Sequence, residues 1–255
     1  MRHQLIRMAQ RAEAHPRLFL AALGLAAIVA FLALNYAVQV ARKPAEVVGL
    51  LSFTTAKRPR STWEVYGRHF RQHSTALVSP ELLAALAQAE SDGNPHALTP
   101  WRWRWSSSPF EWYRPASSAV GLFQMTDPAF EEARRLCIHD HRVVRAGAWN
   151  EPDTCWFTGL YTRLLPAHAV ELTAAWLHVH AQDVLADLPR RPVPVRARQD
   201  LVAAIHLCGP SRAATFARQG FRPLAGERCG THELAAYLQR VGRLARSFAA
   251  LPDVD

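Results

Sequence analysis

The sequence is poor in lysine: Lys43 and Lys57 are the only two among 30 Lys and Arg residues in a chain of 255. The formal net charge is nevertheless +9, a surplus typical of proteins that bind nucleic acids. GC-rich coding produces the same skew towards arginine, so charge alone does not identify the partner. Gly and Pro are unremarkable in number and 49% of the residues are hydrophobic, which excludes collagen-like sequence and wholesale disorder.

Several motifs are also missing. The chain contains no phosphate-binding glycine loop, no G-x-S-x-G elbow and no dinucleotide fingerprint. The histidines near Cys137 and the pair His178 and His180 match no closed zinc pattern. No alternating β pattern of useful length and no internal repeat is present. We therefore expect neither a metal nor a cofactor.

The four cysteines are few but even in number: Cys137, Cys155, Cys208 and Cys229. In an oxidising compartment they form two disulfides in one of three connectivities. Pairing Cys137 with Cys155 and Cys208 with Cys229 encloses loops of about 18–21 residues, which suits stabilising bridges. Four buried thiols are the alternative.

Charged residues are absent from Leu18 to Leu34, and extending the run to Val40 adds only Asn35 and Gln39 as polar residues. About 20 apolar residues cross a bilayer, so residues 18–40 are predicted to form a transmembrane helix after a cytoplasmic segment, 1–17. A cleaved signal peptide is the alternative, but the residues before the nearby alanines suit a cleavage site poorly. Basic residues flank the run on both sides, so charge does not define its orientation.

The remaining chain divides into a basic tether at 41–75 and a domain at 76–250. The tether contains an amphipathic pattern at Trp63, Tyr66 and Phe70. The domain is predicted to be mainly α. Ser79-Pro80-Glu81 is typical of a helix start, a helical pattern covers about 153–165 and resumes after Pro166, and Thr231 is expected to cap the last long helix.

Glu90 lies on the apolar side of its own predicted helix. Leu82, Leu86 and Glu90 are spaced at i, i+4 and i+8, and Glu90 falls in the last turn. Partial burial and the negative end of the helix dipole both disfavour an ionised carboxylate. A carboxylic acid kept protonated is what a general acid for glycosidic cleavage requires.

Three sequence motifs, the first of which contains Glu90, bear on the role of this glutamate. Residues 90–97 read ESDGNPHA, residues 119–125 read AVGLFQM, and residues 233–238 read ELAAYL. They resemble the ES-x-x-NP-x-A, GA-x-GLMQ and ET-x-x-YV segments of the soluble lytic transglycosylase family, in the same order. The resemblance covers about residues 76–244 and implies an all-α domain with the goose-type lysozyme fold.

The sequence departs from that family in two places. His206 and Leu207 stand where the family commonly has tyrosine and asparagine, next to Gly209. Gly121 follows Glu90 by 31 residues, a longer spacing than is usual, because of an aromatic and basic insertion at Trp101–Pro115. Of three roles for this insertion, we favour a lid or wall of the sugar cleft over a membrane-interface element or a single-strand nucleic-acid binder.

The resemblance implies a reaction with one catalytic carboxylate. Glu90 protonates the oxygen between N-acetylmuramic acid and N-acetylglucosamine, then accepts the proton of the muramoyl 6-hydroxyl as a 1,6-anhydro ring closes. Ser91 is expected to orient Glu90 or bind the sugar, and Tyr237 to hold the site. Glu233 is assigned to the helix start and Asp92 to its turn. The predicted substrate-binding residues are Ser91, Phe123, Gln124, Met125, His206 and Tyr237.

The sequence thus predicts a peptidoglycan lytic transglycosylase held in the inner membrane by a single pass, with its catalytic domain in the periplasm. A secretion or conjugation complex is the expected larger partner. The alternatives are a lysozyme-like muramidase, a non-catalytic glycan-binding scaffold of an envelope-spanning machine and, last, a tethered nucleic-acid binder. Peptidoglycan is rich in carboxylates, which accounts for the positive charge without nucleic acid.

Overall fold

The computed structural model describes residues 15–47, 56–148, 151, 154–189 and 192–252. The chain forms two compact units. The smaller unit comprises the described part of 1–47 together with Pro100–Ala116, and the larger comprises the described parts of 48–99 and 117–255. The structure is mainly helical, as predicted, with three short β-hairpins that the sequence pattern did not reveal.

The smaller unit contains one long helix and one hairpin. Helix α1 spans Pro16–Arg42, and strands β1 (Trp101–Trp103) and β2 (Tyr113–Pro115) pair antiparallel with Trp103 opposite Tyr113. A 3-10 turn, Pro109–Glu111, precedes β2.

The larger unit contains the other seven helices and the other two hairpins of the described residues. These elements are α2 (Pro59–Gln72), α3 (Pro80–Ser91), α4 (Asp127–Ala133), β3 (Leu136–His139), β4 (Arg142–Arg145), α5 (Pro166–Ala186), α6 (Val195–Cys208), α7 (Pro210–Arg218), β5 (Arg228–Cys229), β6 (His232–Glu233) and α8 (Leu234–Ala249).

Helix α1 is the one described helix whose length and composition suit a membrane span, and a signal sequence satisfies the same criteria. Pro16 occupies its first turn, where the missing backbone N–H costs no hydrogen bond. Nearly all of its apolar side chains are exposed, including Leu18 at 69% and Leu25 at 63%. In water such a surface would be unfavourable, so the helix is suited to lipid.

The segment predicted as a tether contains more structure than a linker. The amphipathic pattern forms α2, and its apolar side chains Trp63, Tyr66 and Phe70 are buried in the core of the larger unit. The ring of Trp63 also contacts Phe248 of α8 in a tilted arrangement, with ring centroids 5.8 Å apart. Residues 59–72 therefore belong to the packed domain, because only burial satisfies this aromatic face.

Helix α3 lies at the centre of the larger unit. The Ser79 side chain accepts a hydrogen bond from the Leu82 backbone, as expected for the cap, and residues 82–88 are all buried. The helix ends at Asp92, which adopts a left-handed conformation. Gly93 follows with φ +71°, and a Cβ there would lie 2.2 Å from the Thr62 hydroxyl oxygen, so only glycine fits.

Two helix predictions were wrong. Among the described residues of 153–165, only Thr158–Leu160 forms a 3-10 turn, and α5 begins at Pro166 itself because proline suits the first helical turn. Thr231 does not cap α8. The chain first forms the β5–β6 hairpin, and Glu233 is the N-cap residue of α8.

Both predicted disulfides are present. Cys137 on β3 is bonded to Cys155, and Cys208 at the end of α6 is bonded to Cys229 on β5. The alternative of four buried thiols is thereby excluded. The second bridge fastens the end of α6 to the hairpin that leads into α8.

Candidate active site

Three helices of the larger unit bring polar side chains together at the end of α3. Glu90, in the last turn of α3, has a side chain that is 18% exposed. The Tyr237 hydroxyl, on α8, donates a hydrogen bond of 2.5 Å to Glu90 Oε1. His206, near the end of α6, places Nε2 at 3.6 Å from the same oxygen. The carboxyl group predicted as catalytic therefore has two aromatic polar partners.

The surroundings of Glu90 alter the titration of both partners. Burial raises the pKa of Tyr237 well above its ordinary value, and the negative charge of Glu90 adds to this effect, so the phenol remains a hydrogen-bond donor. Burial lowers the pKa of His206 despite the opposing effects of Glu90 and of a hydrogen bond with the Phe123 backbone. His206 is therefore neutral near pH 7.

A loop formed by the AVGLFQM motif closes one side of the site. The Ser91 hydroxyl lies 2.7 Å from the Leu122 carbonyl oxygen, to which it donates a hydrogen bond. Gly121 has φ +81°, and a Cβ there would lie 2.3 Å from the Arg163 carbonyl oxygen. Gln124 donates from its side-chain amide to the carbonyl oxygens of Ala97 and Gly121. The motif is thus a tightly held turn at the end of α3.

Arg163 is a positioning residue that the sequence patterns did not reveal. Its guanidinium group donates to the carbonyl oxygens of Ser118 and Met125, and it forms a 2.6 Å ion pair with Asp127. These contacts hold both ends of the AVGLFQM loop. Each spans 36 to 45 residues of sequence, so no local periodicity could have indicated them.

A cavity of about 390 Å³ adjoins the site. His206, Gln124 and Met125 lie on its wall, together with Glu132 of α4 and Trp176 of α5. Trp176 Nε1 donates a hydrogen bond of 2.8 Å to Glu132, and His180 lies 3.1 Å from the same carboxylate. Burial acts to raise the pKa of Glu132, but hydrogen bonds from Trp176 and His180 outweigh it, so the pKa is lowered. A second carboxylate, ionised at neutral pH, therefore faces this cavity.

The structure distinguishes among the predicted substrate-binding residues. Phe123 is 1% exposed and packs edge-on against Phe70, so its side chain is part of the core, and a contact with the sugar through its backbone stays a prediction. The buried Met125, 6% exposed, reaches the cavity wall. The amide hydrogens of Gln124 are already used within the loop, which leaves its carbonyl oxygen for a ligand.

The neighbouring acids have structural roles. Asp92 completes the turn after α3, where its carbonyl oxygen accepts a hydrogen bond from Lys57. Glu233 is exposed at the start of α8. No three His, Cys, Asp or Glu side chains of the described ranges converge on a point that could hold a metal ion.

A model of a known family matches the part of the chain that contains Glu90. Residues 69–145, less than a third of the chain, match the family model described as Transglycosylase SLT domain. The matched segment contains Glu90 and the AVGLFQM motif. No curated protein matches the chain. Residues 69–145 thus resemble an SLT domain, which supports the family and the lysozyme-like fold predicted from the motifs and, in general terms, a lytic transglycosylase activity on peptidoglycan.

Proposed function

We propose that this protein is a membrane-anchored lytic transglycosylase that cleaves the β-1,4 bond between N-acetylmuramic acid and N-acetylglucosamine and forms 1,6-anhydro-N-acetylmuramic acid. The observation that carries the proposal is the position of Glu90, half-buried at the end of α3, under the Tyr237 hydroxyl and beside His206. This glutamate also lies in the segment that matches the SLT domain.

Glu90 supplies both proton transfers. Its carboxylic acid protonates the glycosidic oxygen as the bond from that oxygen to C1 of the muramoyl residue breaks. The muramoyl 6-hydroxyl oxygen then forms a new bond to C1, and its proton returns to the Glu90 carboxylate. No water is consumed, so no second carboxylate has to activate one. An internal nucleophile gains the advantage of a high effective molarity.

Each partner of Glu90 has a role in this cycle. The Tyr237 hydroxyl holds one carboxylate oxygen in place and stabilises the negative charge that appears after the first proton transfer. Neutral His206 forms the wall between Glu90 and the cavity, where a sugar ring would lie. Ser91 and Gln124 keep the loop beside the cleft in one conformation.

Glu132 favours one specific alternative, a lysozyme-like muramidase. An ionised carboxylate on the cavity wall is a suitable base for an attacking water molecule. Its hydrogen bond from Trp176 and its 3.1 Å contact with His180 instead support a structural role. Glu132→Gln distinguishes the two roles, because a hydrolase that depends on this base loses activity and a transglycosylase retains it.

We further propose that α1 remains attached as a single-pass anchor of the inner membrane, with the larger unit in the periplasm. Asn35 and Gln39 of α1 donate hydrogen bonds to carbonyl oxygens of the 101–115 hairpin, which supports retention of the helix. Two disulfides suit an oxidising compartment. An anchored enzyme of this size suits local opening of the wall for a secretion or conjugation apparatus.

Digestion of purified sacculi by the detergent-solubilised full chain tests the proposal. Mass analysis is expected to find muropeptides with anhydro ends. Products with reducing ends would instead establish the muramidase. Binding to sacculi without release of fragments would indicate the non-catalytic scaffold. The matched pair Glu90→Gln and Glu132→Gln completes the design: the first variant is expected to be inactive and the second to resemble the wild type.

A further inference from the structure

The aromatic insertion packs against α1 within the smaller unit. Trp101 stacks on Tyr36 with ring centroids 5.7 Å apart, and its indole N–H donates a 2.9 Å hydrogen bond to Glu46. Nearer the tip of the hairpin, Phe110 stacks on Phe31. The hairpin therefore follows the C-terminal half of the apolar helix over about ten residues rather than touching it at one point.

Two polar residues in the apolar run explain how this packing is possible. Asn35 is 1% exposed and donates a 2.7 Å hydrogen bond to the Tyr113 carbonyl oxygen. Gln39 is 5% exposed and donates to the Phe110 carbonyl oxygen at 2.5 Å. Non-helical backbone is tolerated at membrane depth only where its polar groups find protein partners. The two amides supply such partners to the hairpin.

The depth of the hairpin follows from its contact with Phe31. Phe31 lies one turn, about 6 Å, before Asn35 along α1 and inside the uncharged run Leu18–Leu34. Its contacts with Phe110 and Trp112 place the hairpin tip beside this apolar part of the helix. If α1 crosses a membrane with the uncharged run Leu18–Leu34 among the acyl chains, the tip lies about 5 Å inside the end of that run, near the level where acyl chains meet head groups.

The exposed surface of the hairpin carries the residue types that proteins place where acyl chains meet head groups. Trp103 and Trp105 are 65% and 91% exposed, and indole rings concentrate where acyl chains meet head groups. Arg102 and Arg114 face each other directly across the two strands, an arrangement that is destabilising unless anions lie nearby. Glu111 is the single acid of the insertion, and it is shared between Arg42 at 3.6 Å and Arg114 at 4.0 Å. Phosphate groups of lipids would neutralise the arginines.

We propose that the hairpin Trp101–Pro115 is a second membrane contact, which inserts Trp103 and Trp105 into the head-group zone of the bilayer beside α1 while its arginines bind lipid phosphates. The inference rests on the proposed anchor. It differs from the role expected from sequence, a wall of the sugar cleft. A rigid contact of this kind fixes the orientation of α1 relative to the membrane surface. It also fixes the point at which the chain that follows α1 leaves the membrane.

Tryptophan fluorescence of the full chain in liposomes tests the proposal. The liposomes contain phosphatidylglycerol and phosphatidylcholine brominated near the head group, which quenches indoles in contact with lipid. The double variant Trp103→Phe/Trp105→Phe is expected to lose roughly half of the lipid-quenchable emission, since two of the four hairpin indoles are removed from the interface. Trp156→Phe, an exposed tryptophan of the larger unit, is the matched control and is expected to leave that emission unchanged.

Three results would overturn the proposal. Equal lipid quenching in wild type and double variant is the first. The second is quenching of Trp103 and Trp105 by aqueous acrylamide but not by bromolipid. The third is a shift of their emission on addition of glycan strands and none on reconstitution, which would restore the sugar-wall role. Release of the full chain by carbonate washing would contradict the anchor itself, so that failure is recognised separately.

Discussion

The hydrogen bond between Tyr237 and Glu90 yields the sharpest quantitative prediction. The Tyr237→Phe substitution removes one oxygen from a side chain that is 5% exposed and leaves the ring in place. The lost bond is short, 2.5 Å, and its acceptor is a carboxylate with only 18% of its side chain exposed. We therefore expect the effect to appear at Glu90 rather than in the packing of α8.

Its magnitude follows from the charge that the bond stabilises. A hydrogen bond to a charged group contributes about 1.5–3 kcal/mol. If this stabilisation is realised when Glu90 becomes ionised in the transition state, its loss slows the reaction by about 10- to 150-fold. Because Tyr237 acts through Glu90, kcat is expected to fall while KM for glycan strands changes little.

Tyr161 provides a matched control. Its hydroxyl also donates to a glutamate, Glu171, at 3.1 Å, and burial beside that carboxylate raises the pKa of Tyr161 to about 12. Glu171 is buried and also accepts a hydrogen bond from the Ile138 backbone, outside the candidate site. Tyr161→Phe is expected to lower the unfolding free energy and to leave kcat per folded molecule unchanged.

The assay is steady-state release of soluble muropeptides by the full-length variants, with the folded fraction measured by circular dichroism. Tyr237→Phe added to Glu90→Gln should cause no further loss of activity, since both changes interrupt one interaction. Equal kcat values for Tyr237→Phe and wild type would refute the reasoning, as would an equal loss of kcat in Tyr161→Phe.

Three further predictions concern stability and packing. Replacing Cys208 and Cys229 by alanine should cost about 3 kcal/mol and lower Tm by about 6–12 °C in a calorimetric scan, because the bridge closes a 21-residue interval; an unchanged Tm would contradict this. Burial lowers the pKa of His73, His178 and His206 in the folded protein, so the unfolded state binds more protons at acid pH. The free energy of unfolding should therefore fall as the pH drops below about 6.5. A Tm that rises when the pH is lowered from about 7.5 to about 5 would be inconsistent with this burial. The double variant Asn35→Leu/Gln39→Leu removes two hydrogen bonds and should reduce hydrogen-exchange protection of the 101–115 hairpin by roughly 10-fold. Leu32→Ala, on the exposed side of α1, is the control. Unchanged protection in the double variant would exclude the contact between α1 and the hairpin.

The parts of the site that could be predicted from sequence are those encoded locally. The Leu82, Leu86, Glu90 spacing correctly indicated a carboxylate on the inner side of α3, and the motif around Tyr237 indicated its neighbour. The cysteine spacing indicated both bridges because each closes a short loop. Local periodicity and short loops depend on residues that are close together in the chain, so a single sequence is sufficient to predict them.

The parts that escaped prediction depend on contacts between distant residues. Arg163 holds a loop about 40 residues before it, and Glu132 reaches the cavity wall only through the packing of α4 on α5. Phe123 follows a glycine turn that directs its ring into the core, although its motif lies beside the cleft. The partners of Asn35 and Gln39 lie more than 70 residues away.

The central claim is that Glu90 transfers both protons and that no water enters the product. Digestion of glycan strands in ¹⁸O-labelled water by full-length wild type and Glu90→Gln tests it most directly. The account predicts anhydro ends without ¹⁸O from the wild type and a rate lower by about 10²- to 10⁴-fold in the variant. Reducing ends that carry ¹⁸O, or a Glu90→Gln variant as active as the wild type, would contradict it.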